Sequence, residues 1–359
     1  MLSTNSSAEE PGMPLNGSSD LPGLMTPPPR LRPGFAPGRL IQLARERIAR
    51  LDLDLGGLTV LTEAATGVYG VTPIIAAMAG ARRVYAVARD NRYGACVDAI
   101  RWCERLGVLA GVAQRVAVLE RLPEALLGEV DIVTNSGNLR PIQAATIDAL
   151  PQRAVIALMF EAWEFREADI DLAACRRRGI PLVGVNERHS DVDVFSYLGP
   201  LAVRLMHDAG VPVYGSKVAL LCDNDFALYV AAGLIGQGAQ VTEARSASGL
   251  RGEGYDAVLV ALKPSETADR IDAQDAAHLS SIAPHAIVIQ LWGDMDRVAL
   301  SRHALAVWPA EAPSLGHMAI LLSDIGPDPV VRLQAGGLKA AEITFRRTTA
   351  DRPGLAEAV

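Results

Sequence analysis

Aromatic side chains make up only 5% of this 359-residue chain, and cysteine occurs four times. Cys96, Cys103, Cys175 and Cys222 contain no C-x-x-C pair and no metal-ligand spacing, so neither a disulfide framework nor a metal site is read from them. Their largely apolar or helix-like neighbourhoods predict reduced, packed thiols, as in a cytoplasmic protein. A basic stripe is missing too. The net charge is −7 with Lys and Arg scattered along the chain, which argues against a nucleic-acid partner. The most apolar stretch, Val71 to Ala81, falls well short of the ~20 residues that span a bilayer, so no membrane partner is expected. Nor does a basic segment followed by an apolar core open the chain as in a signal peptide.

What is abundant is aliphatic. Half of the residues are apolar, which suits buried parallel strands alternating with closely packed helices, and the length is comfortable for two domains. The expected fold is therefore α/β: two Rossmann-like, doubly wound parallel-sheet domains joined by a helix. Residues 1–38, rich in Ser, Pro and Gly, are expected to be a disordered leader. Residues 39–193 form the first domain, 194–210 the connecting helix, 211–345 the second domain with C-terminal helices, and 346–359 a frayed tail.

Within the first domain an amphipathic helix spans 39–51, and a strand at 58–61 leads through the turn 62–70 into a helix at 72–80 and a strand at 83–90. A helix at 93–106 follows. Further strands are predicted at 116–119, 131–134, 154–159 and 182–185, with helices at 143–150 and 167–178. After the connecting helix, which ends at Gly210 as a C′ glycine, the opening is repeated: strand 217–222, turn 223–225, helix 226–236, strand 240–243. Val60 to Val84 and Val218 to Val241 have nearly the same separation. Strands are then expected at 257–262, 286–290 and 305–308, and two helical pieces between 316 and 343.

Three successive strands run out into hydrogen-bonding residues, and in open parallel sheets ligands sit beyond the carboxyl ends of strands. Asn135, Ser136 and Asn138 could bind a carboxylate or a peptide backbone, with Arg140 as a fork for an anion. Glu161, Glu164 and Arg166 flank Trp163, an arrangement suited to an amine or guanidinium, a stacked ring or a general acid or base. Asn186, Glu187, Arg188 and His189 follow, with a histidine able to titrate near neutrality. Glu161, Glu164 and His189 are the candidate catalytic groups; Asn135, Ser136, Asn138, Arg140, Trp163, Arg166, Asn186 and Glu187 are the candidate substrate ligands. His317 and Lys339 could close the cleft if the tail folds back.

For a cofactor, the turn from Glu63 to Gly70 offers Gly67 and Gly70 between strand and helix, with Asp90 placed to take a ribose hydroxyl. Its pattern is E-x-x-x-G-x-x-G, and an ordinary tight turn with Asp90 capping a helix explains it equally. In the second opening Asp223-Asn224-Asp225 stands where fingerprint glycines belong, and its carboxylates would repel a pyrophosphate. Asn224 and Glu243, the latter in the ribose-binding place, keep a dinucleotide open there.

From Leu58 to about Trp308 the order of parts resembles the D-2-hydroxyacid dehydrogenases and S-adenosylhomocysteine hydrolases, and Arg178-Gly179-Ile180-Pro181-Leu182-Val183 is similar to their strand beginnings. That resemblance implies two Rossmann-like domains, NAD or NADP as cofactor and substrate in the cleft between them. The dehydrogenase Arg, Glu and His set has no counterpart in the second domain. Leu58 to Leu61, Glu63, Gly67 and the strand ending at Asp90 also resemble the class I methyltransferases, which implies S-adenosylmethionine. The leading expectation is an NAD(P)-linked oxidoreductase-like protein acting on or recognising a small polar metabolite. A non-catalytic small-molecule- or peptide-binding relative without cofactor, in a natural-product or polysaccharide pathway for example, is the alternative. A methyltransferase comes third, and a homodimer is compatible with each.

Overall fold

The computed structural model describes residues 32–265, 267–348 and 352–359. Most of the expected leader, residues 1–31, lies outside them. Its end is docked: a 3-10 turn at Pro33–Phe35 precedes helix α1 (Pro37–Leu51), and the Arg32 guanidinium donates to the carbonyls of Ser323 and Asp324, both at 2.8 Å.

The first sheet contains β1 (Thr59–Glu63), β2 (Arg83–Val87), β3 (Val116–Leu119), β4 (Ile132–Thr134), β5 (Val155–Ala157), β6 (Leu182–Val185) and β12 (Ala356–Ala358). Their spatial order is β12-β6-β5-β4-β1-β2-β3, and all pairs are parallel except β12 with β6. The six parallel strands thus have the dinucleotide-fold order 3-2-1-4-5-6, which reverses between β1 and β4. Alternate residues face opposite layers, as the pleat demands. Val60, Val84, Ile132 and Val155 pack with α1, α2 (Thr72–Met78) and α3 (Cys96–Ala110), whereas Leu61, Tyr85, Val133 and Ile156 pack towards α4 (Ala144–Ala149) and α5 (Leu172–Arg178).

The second sheet, β7 (Lys217–Leu221), β8 (Gln240–Ala244), β9 (Ala257–Ala261), β10 (Ile287–Trp292) and β11 (Ala306–Trp308), is wholly parallel in the order β11-β10-β9-β7-β8. Counted within this domain the order is 2-1-3-4-5, the other common doubly wound arrangement. The repeat seen in the sequence is a true register: Val60 pairs with Val84, and Val218 with Val241.

The connection is shorter than expected, a 3-10 turn at Phe195–Tyr197 followed by α6 (Leu198–Asp208). Gly210, at φ +77°, closes it with bonds from its N–H to His207 and from Val211 to Met206, a Schellman ending. Helix α6 crosses α7 (Phe226–Gly236) at two glycines. A Cβ on Gly199 would stand 2.8 Å from Gly233 Cα and from the Tyr229 carbonyl. Gly199→Ala is therefore expected to destabilise the protein by about 1–3 kcal/mol through overpacking, measured by urea unfolding; an unchanged midpoint would mean the helices can part freely.

Three expectations are corrected. The tail's main helix, α10 (Asp328–Arg346), packs on α1, β5 and β6 of the first sheet, not on the second domain. Gly336 and Gly337 permit this, since a Cβ on Gly336 would lie 3.1 Å from the Val185 side chain and one on Gly337 2.7 Å from Met159 Sδ. Beyond Phe345 the chain is not frayed where it is described: Leu355 is fully buried and β12 extends the sheet. Finally, the helix expected from Glu167 begins at Leu172, because Asp171 caps it by accepting from the Ala174 N–H at 2.8 Å. Among the described residues no helix is long and apolar enough to cross a membrane.

Candidate functional site

The carboxyl ends of both sheets face a cleft of about 1140 Å³. Its first-domain wall comes from the loops after β1, β2, β4, β5 and β6, as expected at a strand-order reversal. Its opposite wall comes from Phe226, Lys263 and Trp292 of the second domain and from Leu315 to Ser323 of the tail.

At the reversal, Glu63 ends β1 and accepts the Asn138 N–H at 3.0 Å. The Asn138 side chain donates to the Ala64 carbonyl at 2.9 Å and accepts from Asn91 at 3.0 Å, so it ties three strand ends together. Asn135 is nearly inaccessible. Its carbonyl and side-chain oxygen both accept from Arg140, while its Nδ2 has no hydrogen-bond acceptor among the described residues. Ser136 lies 2.6 Å from the Thr134 hydroxyl, and Arg140 is also paired with Asp169 at 3.4 Å.

The ends of β5 and β6 bring acidic groups together. Glu161, 1% exposed, accepts from the Trp163 indole, from the Glu187 N–H at 3.2 Å and lies 3.4 Å from the Arg188 guanidinium. Arg188 continues to Asp225 at 2.5 Å, linking the two domains. Glu357 on β12 accepts the Ala162 N–H at 3.1 Å. Glu164 and Glu187 line the cleft; the Glu161 backbone N–H and the Arg166 charge act on Glu164, whereas among the described residues no protein donor reaches the Glu187 carboxyl group. Burial, reinforced by the neighbouring Glu161, pushes the Glu164 carboxyl up to about 7. Burial and then Glu164, Glu161 and Glu357 hold Glu187 well above the ordinary carboxylate range. Glu63 and Glu161 are raised as well, chiefly by burial. The Tyr69 hydroxyl, buried beside Glu63, is pushed up to about 12.

Of the residues singled out by sequence, Asn135, Ser136, Asn138, Arg140, Trp163, Glu164, Arg166, Glu187 and Gly67 line this cleft, with Glu161 directly behind. His317 joins them, its ring 3.1 Å from Arg166. His189 and Asn186 do not. The His189 ring accepts the Asp191 N–H, and Asn186 fastens the C-terminal segment by donating to the Gly354 carbonyl at 2.9 Å. Lys339 is also elsewhere, buried against Glu342. The proposed cofactor positions separate in the same way. Gly67, at φ +62°, has open space at its Cβ position, whereas Gly70 has none: a Cβ there would stand 2.4 Å from the Ala65 carbonyl and 2.7 Å from Trp102. Asp90 accepts the Cys96 N–H at the start of α3. Asn224 donates to Ala261 and accepts from Phe226 N–H, sealing the β7–β9 switch, and Glu243 is exposed on the edge strand. Phe226 stacks on Trp292 with ring centres 5.0 Å apart. At that strand end Asn224 and Phe226 are thus held by the protein's own contacts. In the first domain, Gly67 alone keeps the open backbone that a pyrophosphate approach needs.

Sequence reasoning missed Lys263 and Trp292, although Lys263 follows β9 and Trp292 ends β10, the same strand-end positions that exposed the first-domain residues. The Lys263 ammonium lies 5.0 Å from the Trp163 ring centre, and Trp292 lies 5.7 Å from it, so both contribute to the far wall.

No protein-family model matches the chain, and no curated protein does. Solved structures do. Dipicolinate synthase from Bacillus subtilis is 14% identical, with a TM-score of 0.54 over 83% of this chain and 99% of that one. The dipicolinate synthase of Bacillus halodurans is 15% identical, with a TM-score of 0.53 over 79% and 96%. The chain shares their fold. An NAD-dependent formate dehydrogenase from Staphylococcus aureus, in complex with NAD, matches at 13% identity and a TM-score of 0.47 over 80% of this chain and 95% of that one. The architecture is that of two Rossmann-type α/β domains.

Proposed function

We propose that this protein is NAD(P)-linked and oxidoreductase-like, and that it acts on or recognises a small polar metabolite in the cleft between its sheets. One observation carries the reading: the 3-2-1-4-5-6 order of the first sheet reverses between β1 and β4, and the cleft opens at that place, beside Glu63, Asn135 and Ser136. The nucleotide side is then the first domain, with Gly67 nearest the phosphates. Arg89 and Arg92 also line the cleft after β2, while Asp90 is engaged by helix α3. An arginine in this place accommodates a 2′-phosphate, so NADPH is expected to bind more tightly than NADH.

Titration of nicotinamide fluorescence with NADH and NADPH, and calorimetry with NAD⁺, NADP⁺ and S-adenosylmethionine, tests this reading. Saturable binding of NADPH, weakened in Gly67→Val, is the expected result; no binding of any nicotinamide nucleotide overturns it. A second reading, a ligand-binding protein without hydride transfer, is favoured by the commitment of Gly70, Asp90 and Asn224 to the protein's own packing and capping. S-adenosylmethionine binding alone would favour a methyltransferase instead.

A further inference from the structure

The acidic end of the cleft gathers more carboxyl groups than its surroundings pair. Glu161, Glu164, Glu187 and Glu357 converge there from the ends of β5 and β6 and from β12. The guanidinium facing them, Arg188, lies against Glu161 and is shared with Asp225. Arg166, which contacts the His317 ring, also acts on Glu164, and Lys263 lies over the Trp163 ring. Both oxygens of Glu161 have donors, and Glu357 holds the Ala162 N–H. Glu187 is different. It is only 8% exposed, it lines the cavity, and among the described residues no protein group donates to its carboxyl oxygens. A buried carboxylate without a donor is costly, and it is relieved by a proton or by a cation that brings its own hydrogen-bond donors.

A second group, independent of the acids, points to a ligand in the same cavity. Asn135 is 1% exposed, and its Nδ2 lacks an acceptor among the described residues although its oxygen is held by Arg140. It stands at the end of β4, two strands from Glu187 at the end of β6, a separation of about 10 Å between the strand axes. The cavity thus offers unanswered acceptors at one end and an unanswered donor at the other.

We propose that the ligand of this cleft carries a protonated nitrogen, an amine or a guanidinium, that is received by Glu187 and Glu164, and a carboxylate or carbonyl oxygen several atoms away that is received by Asn135. This deepens the reading of the cleft as a metabolite site, on which it rests, by naming the substrate class. Trp163 is not the cation's platform, since Lys263 and Trp292 already lie against its ring. The carboxyls provide the recognition, and their tendency to hold protons when the cleft is empty means that cation binding at neutral pH releases protons.

The test is calorimetry of the full chain with L-lysine, L-arginine and 5-aminopentanoate, against pentanoate and glutarate as uncharged-end and acidic-end controls. Repeating it in two buffers of different ionisation enthalpy counts the protons released. At least one nitrogen-bearing probe is expected to bind with proton release and the controls not to bind. Glu187→Gln should weaken that probe by about tenfold or more, as loss of a buried charge partner does. A circular-dichroism melt checks that the variant folds, and Glu164→Gln gives a second reading if it does not. Equal affinity in wild type and both variants overturns the proposal, as does binding of glutarate in preference to the nitrogen-bearing probes. Failure of all three nitrogen-bearing probes in a protein that binds NADPH overturns this proposal and leaves the functional reading standing; failure of probes and nucleotides together overturns both.

Discussion

Replacing Lys339 with alanine is expected to cost about 3–5 kcal/mol of stability, because it would leave Glu342 charged and buried without its main partner. The two side chains are 7% and 6% exposed, and the Lys339 ammonium lies 2.9 Å from both Glu342 oxygens. Lys339 also donates to the Asp52 carbonyl at 2.8 Å, and Glu342 accepts the Asp54 N–H at 3.0 Å. The pair therefore clamps α10 to the segment between α1 and β1. Arg346, 4.0 Å from Glu342, is too distant to replace the ammonium fully. Urea unfolding measures the loss. Changing both residues together, Lys339→Met with Glu342→Leu, should recover most of it, since an apolar pair of similar volume avoids desolvating any charge. A loss below about 1 kcal/mol for Lys339→Ala would mean that the pair is hydrated and behaves as a surface bridge. Helix α10 also carries Leu333 and Gln334 into the cleft wall, so ligand affinity is expected to fall with the clamp.

The second large effect is a dependence of stability on pH in the opposite direction from ordinary acid denaturation. Glu164 is raised from 4.5 to about 7 by burial and by Glu161. An acid whose pKa is raised in the folded state contributes stability that is complete below its unfolded value and is lost as pH rises through the folded value. The empty protein should therefore weaken between about pH 5 and pH 8, by an amount on the order of 3 kcal/mol from Glu164. Glu187, also held well above the ordinary carboxylate range by burial and its acidic neighbours, adds to the decline in the same direction. Asp328 acts in a different window. Burial raises it, but hydrogen bonds from Tyr197 and Arg332 outweigh that and depress it, so its contribution is lost only as pH falls towards the acidic range. Thermal melts from pH 5 to pH 8.5 should show the decline in the wild type and a flatter profile in Glu164→Gln. A profile that rises over this range, or one unchanged in the variant, would exclude an acid held neutral at this site.

The strand positions were legible because apolar runs of four to six residues mark buried parallel strands, and the two openings share a spacing that proved to be a shared register. The cleft residues at the ends of β4, β5 and β6 were legible for the same reason: a strand's end can be located from where its apolar run stops. Roles within those ends were not. Asn135 and Asn138 look alike in sequence, yet the Asn138 amide is bonded at both ends and the Asn135 Nδ2 has no acceptor among the described residues. His189 and Asn186 sit beside Glu187 in the chain, but the His189 ring closes its own turn onto the Asp191 N–H and Asn186 fastens the C-terminal segment. Gly70 reads as a phosphate glycine and is a packing glycine, because the Ala65 carbonyl and Trp102, the latter distant in sequence, occupy the place a side chain would take.

By itself the sequence determined the α/β class, the two parallel sheets and the strand ends that face the cleft, since these follow from periodicity and chain direction within about 25 residues. Only the tertiary structure decided which domain α10 joins, that the chain's end completes the first sheet, and that Glu164, Glu161 and Glu357 gather around a Glu187 carboxyl that has no donor among the described residues. Those outcomes depend on contacts between segments far apart in the chain, where complementary surface and charge, and not local pattern, select the partner.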